Sequence, residues 1–124
     1  MDYGSLPVHE QVAFAARKAL VSGKLRPGDA FPSVRTLSKA VKIHANTAQK
    51  VISQLVAEGL LEVRPGIGTV VAQRPLSTRA ERTKLLGRSV EELAVEAIRL
   101  GLTLEDLQAA VAEHWDALQM KEER

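Results

Sequence analysis

Residues 44–50 read HANTAQK, and on a helix their outward positions are small or amide-bearing: Ala45, Asn46 and Gln49, with Lys50 the one charge. Asparagine and glutamine each hold a donor and an acceptor side by side. That pair can bond the edge of an adenine in a bidentate way, and an alanine can touch a thymine methyl. The first turn of a helix also leaves N–H groups unpaired and carries partial positive charge, which suits phosphate. The chemistry open to this stretch is therefore the reading of bases by a nearly uncharged surface. Arg35 and Lys42, on neighbouring segments, would supply attraction. The bland alternative makes Asn46 and Thr47 mere first-turn caps, and Thr47 can do both.

The elements that must hold this stretch follow from spacing. Val8, Val12, Ala15, Ala16, Ala19 and Leu20 share one face of a helix that begins after Pro7. SGKLRPGD (22–29) ends it, with Gly23 at the helix terminus and Pro27-Gly28 in a turn. Ser33 is a good N-cap for a short second helix with Val34, Leu37 and Val41 inward and Arg35, Lys39 and Lys42 outward. After a tight break at Lys42-Ile43, a third helix runs from about His44 to Glu58. Ala48, Val51, Ile52, Leu55 and Val56 form its buried stripe, Asn46, Gln49, Lys50 and Ser53 its outer one, and Gly59 its end. LLEV (60–63) and TVVAQ (69–73) read as strands joined by RPGIG, whose Pro65, Gly66 and Gly68 make a bare tip. Two helices in a helix-turn-helix, preceded by a helix and followed by a hairpin, form a winged helix. Arg64 beside the tip is a candidate phosphate or minor-groove contact; its alternative is a solvated hairpin charge.

From residue 75 the pattern changes. Leu86, Val90, Leu93, Ala97 and Leu100 follow heptad spacing. Gly101 stops that helix, and Thr103 with Asp106 resembles a capping box for another, seamed by Leu104, Leu107, Val111, His114 or Trp115, and Leu118. Two such helices have too little core to hide these seams alone; two copies would form a four-helix bundle, and the alternative is that both helices pack back on the first domain. The reading is a mainly α chain with a small β-hairpin: a winged helix-turn-helix over 1–74 and a two-helix dimerisation tail over 75–124. The first part carries ten Lys and Arg against five Asp and Glu, the second seven against ten. A basic front half fits a polyanion partner.

The residues also resemble a known family. PVHEQV (7–12), SGKLRPGDAFPSVRTLSKA (22–40) and NTAQKVISQLVAEGLLEVRPGIGTVVA (46–72) together are similar to the winged helix-turn-helix of the GntR family of bacterial transcription regulators. The resemblance implies that Arg35, in PSVR behind Ser33, meets a guanine or phosphate. It implies that 44–50 open the recognition helix and that Gly66-Ile67-Gly68-Thr69 sets the wing tip in the minor groove. Most members have Ser-Arg where this chain has His44-Ala45, so less guanine recognition is expected. The Asn-Thr pair and short helical tail are similar to the YtrA-like subgroup, whose tail dimerises; the resemblance implies a repressor.

Other chemistry finds little material. There is no cysteine, which excludes disulfides and thiolate catalysis. His9, His44 and His114 fall in three different elements, and GIGT lacks the spacing and lysine of a phosphate-cradling loop. Glu91-Glu92 and Glu122-Glu123 read as solvated helix faces. No apolar run reaches membrane-span length, and MDYGSLPVHEQ lacks a basic-then-apolar leader, so a cytoplasmic chain is expected. The expectation is a homodimer that binds double-stranded DNA, without enzyme activity, cofactor or metal, and with any small-molecule effector left open. The rival is a winged-helix module that docks another protein and leaves DNA unbound.

Overall fold

The structure, a computed structural model, describes residues 6–73 and 77–119. The first helix, α1 (Val8–Val21), packs on α3 (Ala45–Ala57), and α2 (Val34–Val41) packs on α3 from another side. Their common core gathers Ala13, Leu20, Phe31, Leu37, Ala48, Val51, Ile52 and Leu55, closed by Leu61 and Val71 from the hairpin. Full burial of a side chain such as Leu55 or Val51 contributes about 1.5–3 kcal/mol. Ala13 and Ala48, both wholly buried, keep this core thin enough for the helices to approach closely.

Three inward assignments fail. Val8, Ala15 and Val41 are exposed. On α1 the packed face is rotated toward His9 and Ala13, because the small Ala13 rather than Ala15 is buried in the core shared with α3. Val41 is the last residue of α2, beyond the reach of the core where the chain turns away.

The turn into α3 is set by Lys42, whose backbone is left-handed at φ 56°. It is the one described residue other than glycine with positive φ, and the conformation costs about 1–2 kcal/mol for a side chain bearing Cβ. The N–H of Ile43 closes the turn on the carbonyl of Ser38 at 3.0 Å. At its far end α3 stops where Gly59 takes φ +80°, and the N–H of Leu60 reaches back to Leu55.

Strands β1 (Leu61–Arg64) and β2 (Gly68–Val71) pair antiparallel in the register Leu61↔Val71 and Arg64↔Gly68, each boundary within a residue or two of the sequence reading. A third backbone segment joins them: Ala30 bridges Val70, and the N–H groups of Gly28 and Phe31 bond the carbonyls of Val71 and Thr69. The segment read only as a turn thus anchors the hairpin to the helices.

The chain divides into two units, Met1–Arg74 and Pro75–Arg124. In the second, a reciprocal capping box between Thr78 and Glu81 opens α4 (Arg79–Lys84). A π-helical turn (Leu85–Ser89) carries it into α5 (Val90–Arg99), so the heptad seam expected from Leu86 onward is interrupted between Leu86 and Val90. A wide turn inserts one extra residue and shifts the helical phase, which spacing counted at 3.6 residues per turn does not register. Gly101, at φ +80°, ends α5, and α6 (Leu104–Gln119) starts on the expected box: Thr103 N–H to Asp106 at 2.9 Å and Asp106 N–H to Thr103 at 3.0 Å. Of the tail seam, Ala97 is buried and Leu107 and Leu118 half-buried. Leu86, Val90, Leu93, Leu100, Leu104, Val111 and Trp115 are exposed in the single chain.

Candidate nucleic-acid interface

Helix α3 begins without a side-chain cap. His44 occupies the N-cap position in extended backbone, its side chain makes no capping bond, and the first amide to find a carbonyl within the helix is that of Ala48, 3.0 Å from His44. The N–H groups of Ala45, Asn46 and Thr47 therefore stay free of intrahelical partners, with the positive end of the helix dipole behind them. Neither Asn46 nor Thr47 uses its side chain as a cap, and among the described residues neither side chain is engaged in a hydrogen bond.

Along the helix, Ala45, Asn46, Gln49, Lys50 and Ser53 are exposed, Thr47 is half-buried, and Ala48, Val51 and Ile52 face the core. Two faces of one short helix are separated as cleanly as the spacing requires. Gln49 donates from Nε2 to the hydroxyl of Ser53 at 2.9 Å, so its amide lies along the helix axis. Ser53, on the outer stripe by spacing, carries a contact that the sequence reading did not single out.

The surrounding charge is one-sided. Between Asp29 and Glu58 the chain has no carboxylate, while Arg35, Lys39, Lys42 and Lys50 fall in that interval. All four are exposed, and among the described residues none forms an ion pair. Arg35 rises from the first turn of α2, where Ser33 caps the helix by accepting the N–H of Thr36 at 3.2 Å. Elsewhere in this unit Arg17 is matched. Arg17 on α1 meets Glu58 beyond the end of α3 through two bonds of 3.0 and 2.7 Å. The hydrogen bonds from Arg17 hold the Glu58 carboxyl below the usual carboxylate range, against a smaller opposing effect of burial. Gln54 adds a further bond to Glu58 at 3.2 Å.

At the hairpin, Arg64 is exposed and bonded to Glu62, two residues before it on the same strand face, at 2.7–2.8 Å. Glu62 was absent from the sequence reading of this site. Gly66 and Gly68 take φ +78° and +114°, so a side chain at either would strain the tip. Ile67 between them is 72% exposed, and Thr69 is half-buried beside the bridge to Phe31.

A depression of about 140 Å³ is lined by Leu20, Gly23, Leu25, Arg26, Pro27 and Val71, too small for a drug-sized ligand, which needs about 300–1,000 Å³. Among the described residues no three His, Asp or Glu side chains are placed to hold a metal ion, and no helix is long and apolar enough to cross a membrane.

The family model for bacterial regulatory proteins of the gntR family matches residues 8–71, which contain every element just described in the first unit. The HTH-type transcriptional repressor YtrA of Bacillus subtilis is 29% identical over 110 residues, 88% of this chain and 85% of its own. A transcriptional antiterminator from Listeria monocytogenes shares the fold at a TM-score of 0.85, with 21% identity over 95% of this chain and 89% of that one. The DNA-binding domain of AraR, solved in complex with operator ORX1, is 30% identical at a TM-score of 0.53, covering 58% of this chain and 87% of its own. The chain belongs to the gntR family and is a DNA-binding transcription regulator with a winged-helix fold.

Proposed function

We propose that this gntR-family regulator acts as a homodimeric repressor, with each protomer placing the N-terminal half of α3 in a major groove of an inverted-repeat operator. Asn46 and Gln49 read adenine edges, Ala45 lies against a thymine methyl, and the free N–H groups after His44 bind a phosphate. Arg35 meets a guanine or phosphate, Lys42 and Lys50 grip the backbone, and Thr47 adds a hydroxyl contact from the first turn. Arg64 and the Gly66–Thr69 tip approach the adjacent minor groove. Residues 1–74 form the DNA-binding domain and 75–124 the dimerisation tail.

The observation that carries this reading is the charge pattern. An exposed amide stripe stands at an uncapped helix start, within a stretch whose four cations engage no carboxylate among the described residues. Arg17, outside that stretch, is by contrast paired with Glu58. For dimerisation, the support is the tail's uncovered apolar side chains, including Ile98 at 75% and Trp115 at 65% exposure. A second copy would bury them as a four-helix bundle. Repression is suggested by the name that YtrA bears. The mechanism involves occupancy of DNA in the cytoplasm and no catalytic step.

The test is selection of bound duplexes from a random pool at two ionic strengths, with sedimentation of the free protein. An inverted repeat rich in A·T at the α3 positions, bound by two protomers and weakened by salt, is expected. Enrichment of no sequence, or of a single unpaired half-site by a monomer, defeats the reading.

A further inference from the structure

Gln49 has three side-chain torsions, and free in water it would sample many amide orientations before meeting a base. In the structure it is held: Nε2 donates to the hydroxyl of Ser53, one helical turn onward, at 2.9 Å. Both side chains are exposed on the outer face of α3, so no core contact requires this bond. A primary amide has two N–H groups and one carbonyl oxygen. With one N–H committed to Ser53, a second N–H and Oε1 remain, a donor beside an acceptor. Adenine presents the matching pair in the major groove, an acceptor at N7 and a donor at N6.

We propose that Ser53 is a positioning residue for base recognition. It holds the N–H of Gln49 that lies anti to Oε1, and so turns the remaining donor and acceptor together toward the groove floor. The idea rests on the major-groove reading of α3 proposed above, and adds to it a residue that does not touch the base. Ser53 acts by removing rotamers that Gln49 would otherwise lose on binding. Ordering one such side chain is worth about 0.5–1.5 kcal/mol, a factor of about 2 to 10 in affinity per half-site.

The experiment is a double-mutant cycle on the selected operator and on scrambled DNA, with wild type, Ser53→Ala, Gln49→Ala and the double variant, each checked for unchanged helicity and Tm. Ser53→Ala is expected to weaken operator binding about 2- to 10-fold per half-site while leaving scrambled DNA unaffected. The double variant should match Gln49→Ala alone, and Ser53→Thr, which keeps the hydroxyl, should restore affinity. Equal losses from Ser53→Ala in the presence and absence of Gln49 would overturn the proposal, because Ser53 would then meet DNA by itself. An unchanged base preference in Gln49→Ala would instead remove the base-reading premise, a separate and recognisable failure.

Discussion

Replacing Lys50 with glutamine and, separately, Arg17 with glutamine removes the same charge from two differently used places. Lys50 stands exposed on α3 with no carboxylate partner among the described residues. Arg17 is joined to Glu58 by bonds of 2.7 and 3.0 Å. Each phosphate neutralised in duplex DNA contributes about −0.9 to the slope of log affinity against log salt. If Arg35, Lys39, Lys42 and Lys50 all meet phosphates in both protomers, eight contacts give a slope of about −7. Affinity would then fall about 10⁴-fold between 50 and 200 mM salt. Lys50→Gln removes two contacts per dimer and should bring the slope to about −5.5, whereas Arg17→Gln should leave it near −7. Fluorescence anisotropy on one operator duplex across that salt range measures both. Identical slopes in the two variants would refute the reasoning, since net charge rather than its placement would then govern binding.

Three further outcomes follow from particular contacts. Lys42→Gly relieves a left-handed backbone at φ 56°, so it should raise stability by up to about 1 kcal/mol in urea unfolding while weakening DNA binding. Glu58 has its carboxyl pKa lowered in the folded chain by Arg17, so its stabilising contribution is fully present above the unfolded glutamate value, about 4.3, and is lost as pH falls through the lower folded value. Unfolding measured from pH 6 to 3 should show that loss, and Glu58→Gln should flatten it. Leu93→Asp puts a charge on the exposed tail seam; sedimentation should give monomers, with operator binding reduced by about 10²-fold or more, and a surviving dimer would disprove the seam's role.

What the letters disclosed was mostly local. Ser33 as a cap, Gly59 as a terminator and the Thr103–Asp106 box each depend on residues within one turn, and each is found where spacing put it. The buried stripe of α3 is equally legible, since Ala48, Val51, Ile52 and Leu55 recur at helical intervals. The bridge from Ala30 to Val70 was hidden because its partner lies forty residues away and its own stretch has no strand pattern. Arg17 with Glu58 is hidden for the same reason. Lys42 concealed its left-handed turn because glycine, the usual signal, is absent there. The contact from Gln49 to Ser53 spans a single turn and could have been read, as could the Thr78–Glu81 box.

The wide turn at Leu85–Ser89 makes the tail tolerant of a deletion that an ordinary helix would not absorb. Excising a single amino acid there, Gly87 for instance, would let ordinary winding run unbroken from Arg79 to Arg99. Far-ultraviolet dichroism would scarcely change. Arg79–Lys84 would keep nearly its present direction around the axis relative to Val90–Arg99, whereas the same excision from an ordinary helix swings one side by about 100°, the angle that one residue subtends. Arg82 and Lys84 would then hold their compass directions, with chain length altered by less than one part in a hundred.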